Sequence, residues 1–232
     1  MAKTGWQTAV LTQAPIDFRA PMTSYIDHIV ITAPTLEIGG AYVAECLGVY
    51  PQKGGEHARM GTHNLLLSLG PSAYLEVIAI NPAAPQPAAR RWFGLDDLSA
   101  DAPARLHTWV ARTGNLVQAV GNSAESMNPI VPMSRGALRW LITSPQESEA
   151  LHGGLTPTLI EWQTDAHPAS TLPDAGLTLI QLEFFTPHVQ RIERQMTALA
   201  LGTGWSASVL SAAETPRLRA QIGTQSGTRV LG

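Results

Sequence analysis

YIDHIVITAP, residues 25–34, opens with an acid and a histidine, continues as a β-branched apolar run and is stopped by Pro34. A run of this length and composition reads as a strand. The segment after Pro34 decides the fold. In TLEIGGAYVAECLG (35–48), Leu36, Ile38, Tyr42, Val43, Cys46 and Leu47 recur at spacings that mostly suit one helical face, and Gly48 is a natural end. Gly39 and Gly40 weaken that helix. The glycine-rich PQKGGEHARMGTHN (51–64) then leads to NLLLSLG and AYLEVIAINP, two strand-length runs joined by a GPSA hairpin signal. Residues 25–82 therefore read as β-α-(β)-β-β.

The same order recurs. After a Pro/Ala-rich linker with a short helix (NPAAPQPAARRWFGLDDL), LHTWVART reads as a strand, GNLVQAVGNS as a helix, and GALRWLITS and LTPTLIEWQT as strands. A third start comes at GLTLIQLEFFTP, with the helix HVQRIERQMTALALG and the closing strands WSASVLS and PRLRAQIGTQSGTRVLG. Aligned on their strand-to-helix turns, DHIVITAPTLE lies over HTWVARTGNLV and IQLEFFTPHVQ, so the pattern repeats while identity is slight. The expected class is α+β, built from repeated βαβββ modules with mixed sheets. The expected organisation is an N-terminal extension (1–23), two βαβββ modules within 24–165 (24–82 and 104–165, with the helical linker between), and a third βαββ-like unit at 166–232.

Composition narrows the function. The 232 residues are 44% hydrophobic with net charge −3, and lysines and arginines are not gathered into a stripe, so no phosphate-backbone footprint is present and nucleic acid is not expected as a partner. The single cysteine, Cys46, permits neither an internal disulfide nor a cysteine zinc site. No stretch reaches the roughly 18 apolar residues of a membrane span. The expectation is a cytoplasmic protein, monomer or homodimer, that acts on a small molecule.

Two polar residues interrupt the strands. His28 heads the first, and Glu76 stands between Leu75 and Val77 in YLEVIAI; an unpaired buried carboxylate costs several kcal/mol, so Glu76 requires a cation, a donor or a raised pKa. Glu161 holds a comparable place in TLIEW. Arg135 and Arg139 are alternative partners for such a carboxylate, or a clamp for an anionic substrate. Trp140 and Trp162 are large rings in the strands of the second unit and are candidates for a substrate wall, and His63 and Asn64 come after a glycine-rich loop that permits close approach to a ligand. His57, Asp165 and His167 read as turn-organising residues, and Asp27 as the partner that orients His28.

IDHIV at the head of a βαβββ unit, GTHNLLLSLG followed by YLEVIAINP, and LIEWQTDAHPASTLPDAGLTL resemble the glyoxalase-like domain family of the vicinal oxygen chelate superfamily. The resemblance implies two modules paired into a half-barrel that holds a divalent metal (iron, manganese, zinc or nickel) and a small oxygen-rich substrate. It implies His28 and Glu76 as ligands from the first and last strands of module one and Glu161 as the matching residue of module two. In the aligned register the module-two counterpart of His28 is Thr108, and His107 would need a bulge to become a ligand. With His107 as ligand, Glu161 is left as the catalytic base. The implied activity is a metal-dependent lyase, isomerase or dioxygenase; the alternative is a binding protein of the same fold that sequesters its ligand without turnover.

Overall fold

The computed structural model describes residues 23–144, 154–211 and 213–232. The extension expected at the N-terminus lies, apart from Thr23, outside them. The first unit runs β1 (Ser24–Thr32), α1 (Leu36–Leu47), β2 (Gln52–His57), β3 (Thr62–Ser68) and β4 (Tyr74–Ile80). The second runs β5 (Arg105–Thr113), α2 (Leu116–Asn122), β6 (Ile130–Arg135), β7 (Leu138–Thr143) and β8 (Thr158–Trp162). Together they form one eight-stranded mixed sheet in the order β2-β3-β4-β1-β5-β8-β7-β6. β1 pairs parallel with β4, β5 pairs parallel with β8, and β1 and β5 meet antiparallel at the centre. The sheet curls until its edge strands approach: Arg59 Nη1 on the β2–β3 turn donates to the Pro132 carbonyl of β6 at 3.1 Å.

The helix ends obey their sequence signals. Thr35 caps α1 through its hydroxyl, which accepts from the Ile38 N–H, and Gly48 ends the helix in the left-handed region. Asn115 caps α2 in the same way. The two glycines that weaken α1 have a packing reason: a β-carbon on Gly39 would stand 2.3 Å from Val77 Cγ1, so the helix lies closer to β4 than alanine would allow.

The pleat separates two cores. Ile29, Ile31, Leu75, Val77, Trp109 and Leu159 point to the convex face, and Val30, Ile78, Val110, Ile142 and Ile160 to the concave one. The convex face is covered by the third unit, which comes after the short helix α3 (Pro168–Thr171). That unit comprises β9 (Thr178–Thr186), α4 (Val189–Ala198), β10 (Trp205–Val209), β11 (Arg217–Thr224) and β12 (Gly227–Leu231), and packs Leu182, Phe184, Ile222 and Met196 against Trp109 and its neighbours. Its order, β10-β9-β11-β12, differs from the other two units. β9 pairs parallel with the strand directly after its helix, rather than with the last strand of the unit. No described helix is long and apolar enough to cross a membrane.

Candidate active site

The concave face holds a narrow cleft, partly open to solvent, lined by His28, His57, Asn64, Tyr74, Glu76, Trp92, Phe93, Arg135, Trp140, Ile142, Ile160 and Trp162. Its polar floor is built on β1 and β4. β1 carries a bulge, because its pairing with β5 steps from Ile26↔Ala111 to His28↔Val110 and leaves Asp27 as the extra residue. Side chains that a regular pleat would send to opposite faces can therefore meet: His28 Nδ1 donates to Asp27 Oδ1 at 2.7 Å.

Asp27 is fully buried and also accepts from Trp162 Nε1 at 3.0 Å and from His167 Nε2 at 2.9 Å. Burial alone would raise its pKa, but the hydrogen bonds from His167 and His28 outweigh burial and hold the carboxyl well below the usual range. An ionised Asp27 holds hydrogen on His28 Nδ1 and leaves Nε2 turned to the cleft. That Nε2 lies 3.6 Å from Glu76 Oε2. The ring stacks on Tyr74 with centroids 4.4 Å apart, and burial keeps the Tyr74 hydroxyl neutral.

Glu76 is 6% exposed and its second oxygen is held from β3: Asn64 Nδ2 donates to Glu76 Oε1 at 2.5 Å. Asn64 is held in turn, its Oδ1 accepting from the Gly55 N–H at 2.8 Å and, more loosely, from Arg135 Nη1 at 3.4 Å. A β-carbon on Gly54 would meet Asn64 Oδ1 at 2.2 Å, and one on Gly55 would meet Arg135 Cδ at 2.8 Å, so the two glycines admit the side chains that organise Glu76.

The linker closes the cleft. Residues 81–104 contain a 3-10 turn at Leu95–Asp97 and place Trp92 and Phe93 on the concave face. Phe93 adopts φ 58°, a left-handed conformation that costs an L-residue on the order of 1 kcal/mol. Asp96 holds the turn by accepting from the backbone N–H of Arg91 at 2.7 Å and from its guanidinium at 2.5 Å. His57 packs edge-on against Trp92 and Trp140 at 5.2 and 6.4 Å, and its Nδ1 lies 3.1 Å from Thr62 Oγ1. Burial pushes its pKa down to about 4, so it is a neutral wall of the cleft.

Of the residues singled out from sequence, His28, Glu76, Asn64, Arg135, Trp140 and Trp162 come together here. His63, Arg139, His107 and Glu161 do not. Glu161 points to the other side of β8, where its Oε2 accepts from the Leu116 N–H at 2.6 Å and caps α2, so it is a helix cap and not a base facing the cleft. The register also corrects its pairing with Glu76: Val30 faces Glu76 while Val110 faces Thr158, which makes Thr158 the counterpart of Glu76. The bulge that His107 would need does exist, since β5 skips that residue between Val30↔Thr108 and Ile31↔Leu106. It does not bring the imidazole to His28. His107 lies by Gly94 of the linker, with Nδ1 3.1 Å from Arg105 Nη2. His63 and Arg139 are the sequence neighbours of Asn64 and Trp140 and take the opposite face of their strands. His57, Tyr74, Trp92 and Phe93 line the cleft without having been picked out as ligand-binding residues. For the last two the available signal was the WF pair, placed before a glycine in an otherwise Pro/Ala-rich linker.

The resemblance implies a divalent ion, and the donor set falls short of one. His28 Nε2 and Glu76 Oε2 are available, but the matching positions of the second unit are Thr108, which donates to the Gly154 carbonyl at 3.1 Å, and the buried Thr158. Among the described residues no three His, Cys, Asp or Glu side chains converge closely enough to hold a metal. Two donors do not fit a resident metal site of the usual kind.

A family profile described as a glyoxalase-like domain matches residues 26–226. No curated protein matches the chain. Among solved structures, a hypothetical protein from Staphylococcus aureus is similar over 87% of this chain and 82% of its own, at 11% identity and TM-score 0.54. A variant of 4-hydroxymandelate synthase from Streptomyces coelicolor is similar over 90% of this chain and 62% of its own (12% identity, TM-score 0.49). Methylmalonyl-CoA epimerase from Mycobacterium tuberculosis is similar over 59% and 85% (14% identity, TM-score 0.37). With its profile match spanning both halves of the curled sheet and most of the third unit, the chain belongs to the glyoxalase-like domain family.

Proposed function

We propose that the protein is a small-molecule enzyme of the isomerase or lyase kind, which moves a proton at a carbon beside a carbonyl, with His28 as base. One observation carries the reading: the His28 ring, oriented through Nδ1 by the ionised Asp27, places Nε2 3.6 Å from Glu76 Oε2 at the floor of an aromatic-walled cleft. An imidazole held in one tautomer by a buried carboxylate is organised to accept a proton at its other nitrogen, and the adjacent Glu76 carboxylate stabilises the imidazolium that results. Asn64 keeps Glu76 in place and Tyr74 supports the ring from one side. The dioxygenase branch of the superfamily needs three protein donors around iron, so this donor set favours proton transfer.

The test is hydrogen exchange in heavy water, monitored by proton NMR, with a panel of 2-oxo acids, α-hydroxy ketones and aryl-substituted carbonyl compounds. The expected result is enzyme-dependent loss of one carbon-bound proton signal, reduced about 10²-fold or more in His28→Gln, the usual scale of general acid–base catalysis. Saturable binding of panel members with no exchange of any carbon-bound proton would overturn the reading and leave a sequestering protein.

A further inference from the structure

We infer that His167 is a positioning residue for His28, acting through Asp27 from the N-terminal cap of α3. The inference rests on the reading that His28 is the base. The two carboxylate oxygens of Asp27 have separate partners. Oδ1 accepts from His28 Nδ1 at 2.7 Å, while Oδ2 accepts from His167 Nε2 at 2.9 Å and from Trp162 Nε1 at 3.0 Å. Arg112 Nε, 3.9 Å from Oδ2, stands beyond hydrogen-bond distance. The other nitrogen of His167 is already engaged: Nδ1 accepts from the Ala169 N–H at 3.2 Å, so the ring carries its hydrogen on Nε2 and donates it to Asp27. The bonds thus run in one direction, from the helix cap through His167 to Asp27.

The cap is itself seated on the site. Ala169 and Leu172 pack with Leu66 and Tyr74, and Tyr74 is the ring on which His28 stacks. The His167 ring stands edge-on to Tyr74 and to Trp162, with centroids 5.8 and 5.3 Å away, and its side chain is 12% exposed. α3 therefore reaches His28 by two routes, one polar through Asp27 and one apolar through Tyr74. A carboxylate held at one oxygen can turn about its own bond to the chain. With Oδ2 anchored, Oδ1 stays on His28 Nδ1 and Nε2 stays turned to the cleft. Capping α3 requires only the bond to Ala169; the bond to a residue 140 positions away in the chain is a second task.

Two substitutions separate the cap from the contact with Asp27. His167→Asn keeps a strong helix cap on a side chain too short to reach Asp27, whereas His167→Gln places an amide N–H at the reach of the imidazole Nε2. Long-range proton–nitrogen NMR on histidine-labelled protein, with His28 assigned by His28→Gln, reads which nitrogen of His28 carries hydrogen and needs no substrate. Hydrogen is expected on Nδ1 in the parent. In His167→Asn it should pass in part to Nε2, and proton exchange should fall about tenfold in kcat with KM little changed. His167→Gln should restore most of both. An unchanged His28 signal in His167→Asn, or equal losses in His167→Asn and His167→Gln, would overturn the inference. If the His28 signals move as expected while the parent exchanges no proton of any compound, the positioning role stands and the proton-transfer reading fails.

Discussion

Asp27 and His28 are adjacent in the chain, yet Asp27 Oδ1 and His28 Nδ1 form a 2.7 Å hydrogen bond on the same side of the sheet. The bulge that makes this contact possible also makes Asp27 a sensitive position. Asp27→Asn keeps the volume but removes the charge, and an amide can offer hydrogen to His28 Nδ1 and so reverse the tautomer. Proton exchange should fall about 10²-fold or more while ligand affinity changes little, which NMR exchange and calorimetry on the same sample would separate.

Gly39→Ala tests the approach of α1 to the sheet. The added methyl would overlap Val77 and stand 3.0 Å from the Ala33 methyl. The overpacking cost of roughly 1–3 kcal/mol outweighs the helix-propensity gain of about 1 kcal/mol, so urea denaturation should show a lower midpoint with an unchanged slope.

Glu161→Ala should cost about 1 kcal/mol through loss of the carboxylate at the start of α2. Exchange activity should stay at the parent level. A loss of exchange in a variant that folds normally would return Glu161 to the chemistry.

Acid should destabilise the protein in two separable steps. Burial pushes His57 and His107 each down to about 4, whereas both titrate near 6.5 when unfolded. Between those values the unfolded chain binds more protons, so stability is fully present above about pH 6.5 and is lost as pH falls towards 4. Asp27, whose folded pKa is depressed, contributes stability above the ordinary carboxylate range that is lost only at lower pH. Burial lowers His63 as well, so His107→Phe should remove only part of the fall in Tm across the upper window and leave the lower step intact.

Much of the frame was legible because the central strands are short apolar runs bounded by turn residues, and because Gly48 marks a real helix end. His28 and Glu76 stood out as polar residues in apolar runs, and both line the cleft. Three of the four residues that went elsewhere share one cause. His63 beside Asn64, Arg139 beside Trp140 and Glu161 beside Trp162 are adjacent pairs within strands, and a regular pleat lets only one of each pair face a given side. Asp27 and His28 escape that rule through a bulge, which depends on the partner strand and leaves no mark in the local sequence. Trp92 and Phe93 were hidden for a different reason: a linker has no periodicity, and where it folds back is decided by the cleft it closes. In the third unit the strand-helix start could be read, but the unit holds one strand more than the expected βαββ pattern, and the pairing of β9 with β10 depends on contacts distant in sequence.

The central pairing of β1 with β5 relates two halves that are alike in course and unlike in furnishing. One half supplies His28, Asn64 and Glu76, and the other answers with Trp140, Ile142, Ile160 and Trp162 at the facing wall. The two halves also meet chemically, where Trp162 Nε1 donates to Asp27. Substitutions of Trp140, Ile142 or Ile160 reshape the facing wall while His28, Asn64 and Glu76 keep their hydrogen bonds; a substitution of Trp162 reaches both.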